Sequence, residues 1–156
     1  MNIRLIVVEK TKPSYLAEGI RDYIKRLKRY GAVEIVVVKG VPERSDRNKN
    51  LVLEKEGERI LSKIDKGSFV IVLDRAGRLI TSKELAGVFR RYQDRGVRSW
   101  TFVVGGAFGL APDVIRKANV LLAISKMTFT HDMTRLILVE QIYRAMTINQ
   151  GTPYHK

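Results

Sequence analysis

"TFVVGGAFGLAPDVI", residues 101–115, joins a short apolar run to a pair of glycines, a third glycine and a proline. Thr101 to Val104 reads as a strand without polar alternation, and such a strand is buried on both faces. Gly105, Gly106 and Gly109 mark a strand-to-helix turn, and Pro112 suits the start of the helix that follows. A doubly buried strand running straight into a helix is the repeating unit of an α/β fold, so the fold turns on whether this unit recurs.

It recurs along the whole chain. Ile3 to Val8 reads as a first strand. Pro13 to Tyr30 then carries Leu16, Ile20, Tyr23, Ile24 and Leu27 at helical spacing and stops at Gly31. Val33 to Val38 is a second strand. Leu53, Ile60, Leu61 and Ile64 mark a second helix, and Phe69 to Leu73 is a third strand. "TSKE", Thr81 to Glu84, has the spacing of a capping box and opens a helix through Leu85, Val88, Phe89 and Tyr92 to Gly96. After the quoted stretch come a strand at Val120 to Ile124 and a last helix from about Asp132 to Ile148. Runs such as "IVVVK" and "FVIVL" are continuous rather than alternating, which calls for a parallel sheet covered by helices. The expectation is a single α/β domain over residues 1–156. The one loose segment is Lys39 to Asn50, polar, charged and holding Pro42, read as a solvated loop leading into a helix.

Composition narrows the chemistry. The 156 residues include no cysteine and two histidines, His131 and His155, which removes thiolate catalysis, disulfides and the common zinc sites. Twenty-nine Lys plus Arg against 16 Asp plus Glu give a net charge of +13, a field that gathers polyanions. The cations fall into two bands, Arg21, Lys25, Arg26, Lys28 and Arg29 on the first helix, and Arg90, Arg91, Arg95 and Arg98 on and after the third. Contact with nucleic-acid phosphates is expected, with binding that weakens steeply in salt. No apolar run approaches the roughly 20 residues a membrane span needs, and Leu5 to Val8 is too short for a signal segment. A cytoplasmic protein without membrane contact is expected.

In open parallel sheets ligands sit at the carboxyl ends of the strands. The glycine turn lies there, but Gly109 is followed by Leu110–Ala111 rather than the Lys–Ser/Thr of a P-loop. The turn is also late for a dinucleotide fingerprint, and Ser125–Lys126 stands where a ribose-holding acid belongs. A cofactor with an adenine and no phosphates fits better. In the stretch Ile124 to Ala145, His131 and Arg135 are four apart and share a face if one helix holds both, and Glu140 and Arg144 have the same spacing. The tail reads by default as an exposed, frayed end, yet Tyr154, His155 and Lys156 supply an aromatic, a titratable group and a cation, all useful for holding a nucleobase.

The segments "DKGSFVIVLDRAG", "FVVGGAFGL", "ISKMTFTHDMTRLILVEQIYRAMTI" and the final "PYHK" together resemble the ribosomal large-subunit methyltransferase H family, small SPOUT-class enzymes, over the full length. The resemblance implies a parallel-sheet SPOUT fold with a C-terminal trefoil knot, an exception to the rule against threaded chains. It implies S-adenosylmethionine as cofactor, a homodimer, and methylation of N3 of a pseudouridine in 23S rRNA on the assembled 70S ribosome. By position, Leu73, Gly105 and the run Ile124, Ser125, Lys126, Met127, Thr128 and Phe129 match the family's cofactor-binding stretches. One departure is Thr130, where the family usually has a proline that would stiffen the turn.

On this reading His131 or His155 takes or relays the N3 proton, Arg135 orients a phosphate or the anionic base, and Tyr154 stacks on the ring. The last helix, apolar on more than one face, reads equally as a dimer interface or as a helix buried within the monomer. Two other readings remain at this stage: the same enzyme class acting on tRNA or another RNA position, and an RNA-binding protein without catalysis.

Overall fold

A computed structural model describes residues 1–42 and 48–154. The elements are β1 (Asn2–Val8), α1 (Ser14–Leu27), β2 (Ala32–Val38), α2 (Lys49–Leu61), β3 (Phe69–Leu79), α3 (Ser82–Asp94), β4 (Ser99–Val104), α4 (Pro112–Arg116), β5 (Val120–Ala123) and α5 (His131–Gln150). The loop expected at Lys39 to Asn50 falls in part on residues 43–47, outside the described residues, as do His155 and Lys156. All five strands are parallel, in the order β2-β1-β4-β3-β5.

The unbroken apolar strings follow from two helical layers. Ile3, Leu5 and Val7, Phe69, Ile71 and Leu73, and Trp100, Phe102 and Val104 pack with α1, α3 and α5 on one face. Their neighbours Ile6 and Val8, Val70 and Val72, and Val103 pack with α2 and α4 on the other. Each side chain so buried contributes about 1.5–3 kcal/mol.

Strand β2 departs from the expected double burial. It lies at the rim of the sheet, paired with β1 alone, and Ile35 and Val37 are 37% and 43% exposed. An apolar run is the same string of letters at an edge as at the centre, so position in the sheet was not readable from it. β3 is also longer than its apolar core. After Leu73 it leaves the ladder and rejoins β5 at Arg78 and Leu79.

The chain leaves β4, which lies between β1 and β3, and crosses to β5 on the far side of β3, a path compatible with a C-terminal knot. Each of α1, α3 and α5 starts at the carboxyl edge of the sheet. α1 and α3 end just before the next strand begins, at the amino edge. The capping box holds as expected: Glu84 N–H donates to Thr81 Oγ1 at 3.1 Å, and Thr81 N–H donates to Glu84 Oε2 at 2.6 Å.

Candidate active site

Three separate stretches meet at one point of the carboxyl edge. Leu73 pairs with Val104 on one side and with Leu122 on the other. Gly105 directly follows Val104, and Ile124 lies two residues beyond Leu122. Sheet register therefore brings Leu73, Gly105 and the start of the Ile124–Phe129 run together. Below Ile124 opens a cleft of about 280 Å³, walled by Ile80, Leu85, Leu122, Ile124, Ile137 and Leu138, with Thr81, Ser82 and Gln141 as its polar groups. Apolar walls with a few fixed polar atoms are what a small organic ligand requires. Among the described residues no group of three or more His, Asp or Glu is gathered to hold a metal ion.

The glycines of the turn have internal reasons. A Cβ on Gly105 would stand 2.5 Å from the carbonyl oxygen of Gly109, and one on Gly106 would stand 3.2 Å from Glu56 Oε2. Gly109 takes φ of +89°, in the left-handed range that glycine accepts without penalty. The turn folds onto itself and onto α2, so its tightness does not by itself call for a ligand. Glu56 is the residue that sequence reading missed here. It is buried on α2 and accepts a bond from Val41 N–H at 3.0 Å.

Ile124 and Ser125 are half-buried, whereas Lys126 to Thr130 are exposed, Met127 to 75%. Ser125 Oγ accepts from Met127 N–H at 2.9 Å and shapes the bend. Thr130 is the N-cap of α5: its hydroxyl accepts from Met133 N–H at 3.2 Å, and its φ of −62° is a value proline would share. Thr130 thus supplies a side-chain cap at a φ that proline also adopts.

Helix α5 contains both His131 and Arg135, but they do not share an exposed face. His131 is half-exposed, while Arg135 is 1% exposed, and its guanidinium donates to Asp132 Oδ1 (2.9 Å), Thr11 Oγ1 (3.0 Å) and the Val8 carbonyl (2.5 Å). Arg135 therefore reaches no phosphate from within its own protomer. It clamps the start of α5 to the end of β1, and thereby fixes where the exposed loop ends. Burial lowers its pKa from the usual arginine value, and the charges of Asp132 and then Glu9 oppose that shift. Asp132, 3.7 Å from His131 Nε2, connects the two residues. The Asp132-x-x-Arg135 spacing was the available sequence signal for this pair.

Tyr154 folds back along α5. Its ring meets Tyr143 edge-on at 4.8 Å and lies under the Arg144 guanidinium at 4.8 Å. Its hydroxyl lies 3.1 Å from both Glu140 Oε1 and Tyr23 Oη. Burial, with the Tyr23 hydrogen bond and the Glu140 charge, raises its pKa, so the phenol keeps its proton and donates. Glu140 lies nine residues past His131, about 13 Å along the helix axis. Tyr154 and His131 are not brought together within one chain, and His155 lies outside the described residues.

Comparisons with known proteins bear on the family and the fold. A family model described as "Predicted SPOUT methyltransferase" matches residues 1–155. Proteins named ribosomal RNA large subunit methyltransferase H are similar over their full length. That of Bifidobacterium animalis subsp. lactis is 45% identical and that of Bacillus pumilus 44%, with all of both chains covered in each case. Among solved structures, a probable methylase family protein of Haemophilus influenzae matches 99% of this chain and 70% of its own, with a TM-score of 0.55 at 17% identity. A probable methyltransferase of Bordetella pertussis matches 92% of this chain and 95% of its own, with a TM-score of 0.56 at 16% identity. At these identities the structural likeness speaks to the fold alone.

Proposed function

From the premise that this chain belongs to the ribosomal RNA large subunit methyltransferase H family of SPOUT methyltransferases, we propose that it methylates N3 of a pseudouridine in 23S rRNA on the assembled 70S ribosome, with S-adenosylmethionine as methyl donor. The observation that carries the cofactor reading is the convergence of Leu73, Gly105 and Ile124 through register at the carboxyl edge, with Ile124 also lining the cleft between α3 and α5.

The residues present suit an adenosine without phosphates. Leu73 and Ile124 supply apolar wall, and the backbone of Gly105 and of the run Ser125, Lys126, Met127, Thr128 and Phe129 supplies hydrogen-bonding groups. When bound, S-adenosylmethionine contributes an electrophilic methyl on a sulfonium centre. The protein's part is positioning and proton management. His131, half-exposed at the first turn of α5 with Asp132 Oδ1 3.7 Å from its Nε2, accepts the N3 proton. His155 in the tail is the alternative acceptor. Arg135 acts from beneath by holding Asp132 and the loop exit. Tyr154 offers its ring to the acceptor base.

The chain is proposed to work as one domain in a cytoplasmic homodimer. Tyr154 packs on its own α5, some 13 Å along from its own His131, so a tail from a second copy is the simpler supplier of an aromatic at the reacting base. Among the described residues no helix is long and apolar enough to cross a membrane. The reading is tested by thermal melting with and without S-adenosylmethionine. A cofactor enzyme gains a concentration-dependent rise in Tm, whereas a plain RNA-binding protein melts unchanged. Replacing His131 by Ala should then lower the methylation rate by roughly 10²-fold or more at unaltered Tm rise.

A further inference from the structure

The two basic bands lie at the wrong end of the sheet for the chemistry. α1 and α3 run from the carboxyl edge back to the amino edge, so Lys25 to Arg29 and Arg90 to Arg98 collect at the amino edge. A strand of six or seven residues separates the two edges by about 20 Å. Phosphates next to a nucleotide held at Leu73 and Ile124 need cations nearer at hand.

β3 supplies them. Leu73 pairs with Leu122, and so does Arg78 five residues later, which leaves Asp74 to Gly77 outside the ladder as a bulge. Both ends of the bulge are fixed. Asp74 Oδ1 accepts from Ala76 N–H at 2.8 Å, and Gly77 lies so flush on β5 that a Cβ there would stand 2.5 Å from the Leu122 carbonyl carbon. Bulges next to active sites commonly re-aim a side chain. Arg75 and Arg78 on this one are exposed, and neither side chain hydrogen-bonds or ion-pairs with a described residue. By contrast Arg4, Arg26, Arg116, Arg135 and Arg144 are each bound to a carboxylate. Glu84 lies in the field of Arg78 but commits its carboxylate to Thr81.

We propose that this bulge is the phosphate grip of the methyl-transfer edge, with Arg75 and Arg78 holding the backbone of the acceptor RNA strand beside the target nucleotide. The inference rests on the RNA methyltransferase reading and adds to it the surface on which the strand lies. A planar guanidinium on a fixed backbone binds a phosphate through two parallel bonds, a geometry lysine does not reproduce.

The test measures binding to 70S ribosomes lacking the modification across a range of salt, for the wild type, Arg75→Gln, Arg78→Gln and the double variant. Each single change is expected to flatten the slope of log K against log salt by about one and to weaken binding roughly tenfold. The rise in Tm with S-adenosylmethionine should stay that of the wild type, and Arg75→Lys should recover charge but only part of the affinity. If the double variant binds with wild-type slope while the wild type methylates ribosomes, the grip is overturned and the functional reading stands. If the variants instead lose the cofactor-induced Tm rise, the arginines belong to the cofactor site and the grip is again overturned. A wild type that neither binds ribosomes in a salt-dependent manner nor methylates them overturns both.

Discussion

The two edges of the sheet are built on different terms. At the amino edge, Arg4 is held by Glu34 and Asp65 and bonds the Lys63 carbonyl, an exposed network that ties β1, β2 and the loop after α2 together. Its partners are mutual and its purpose is closure. At the carboxyl edge, polar groups bind inward, Glu56 to Val41 and Asp132 to Arg135, and the exposed side chains of Arg75 and Arg78 have no hydrogen-bond or ion-pair partner among the described residues. Glu9, with a positive φ of 63° and its carboxylate on Gly40 N–H, is the one non-glycine among the described residues in that range, and it lies at this edge. Such a conformation persists where the surroundings over-determine it. One edge satisfies itself, whereas the other keeps its surface free for something else.

Substitutions separate the two edges. The largest effect is expected for Arg135→Met. It strips Asp132 of its buried partner and should cost about 3–5 kcal/mol in chemical denaturation, with the cofactor-induced Tm rise lost in whatever protein still folds. Gly77→Val drives a side chain into the backbone of Leu122 and Ala123 and should cost about 1–3 kcal/mol or more, again with weakened cofactor response. Arg4→Ala removes the amino-edge network and should cost no more than about 1 kcal/mol. Its methylation rate and cofactor response should match wild type, and a loss of either would break the contrast between the edges.

Smaller effects sharpen it. Thr81→Ala removes the cap of α3 beside the cleft, at about 1 kcal/mol. Glu84 has its pKa lowered by its bonds to Thr81, so its stabilisation is present above the ordinary carboxylate range and lost as pH falls through the lowered value. Glu84→Gln should flatten that acid-side dependence of Tm. Thr130→Pro keeps φ near −62° and gives up one hydroxyl cap while stiffening the unfolded chain, so its net effect should lie within about 0.5 kcal/mol of zero.

Much of this architecture was readable from the sequence. Continuous apolar strands alternating with amphipathic helices specified a covered parallel sheet, and "TSKE" specified the start of α3, because both signals arise from contacts each segment makes locally or with a full layer. The exposed rim at Ile35 and Val37 was not readable, since strand order is a long-range outcome. The second pairing of β3 with Leu122 was hidden for the same reason. In the site, the convergence of Leu73, Gly105 and Ile124 depends on register between strands distant in sequence. Arg135 looked like a surface cation because helical spacing relates residues to one another but not to the core, and its partners Val8 and Thr11 lie over 120 residues away.

The central claim is that the carboxyl edge of this sheet transfers a methyl group to a pseudouridine of the large-subunit RNA. The most direct measurement is mass spectrometry of ribosomal RNA after incubating the protein and S-adenosylmethionine with ribosomes that lack the modification. The account predicts one added methyl on a pseudouridine of 23S rRNA, formed far more slowly when His131 is replaced by Ala and absent when the donor is omitted. RNA recovered without any new methyl group, from a protein that is folded and bound to the ribosome, would contradict it.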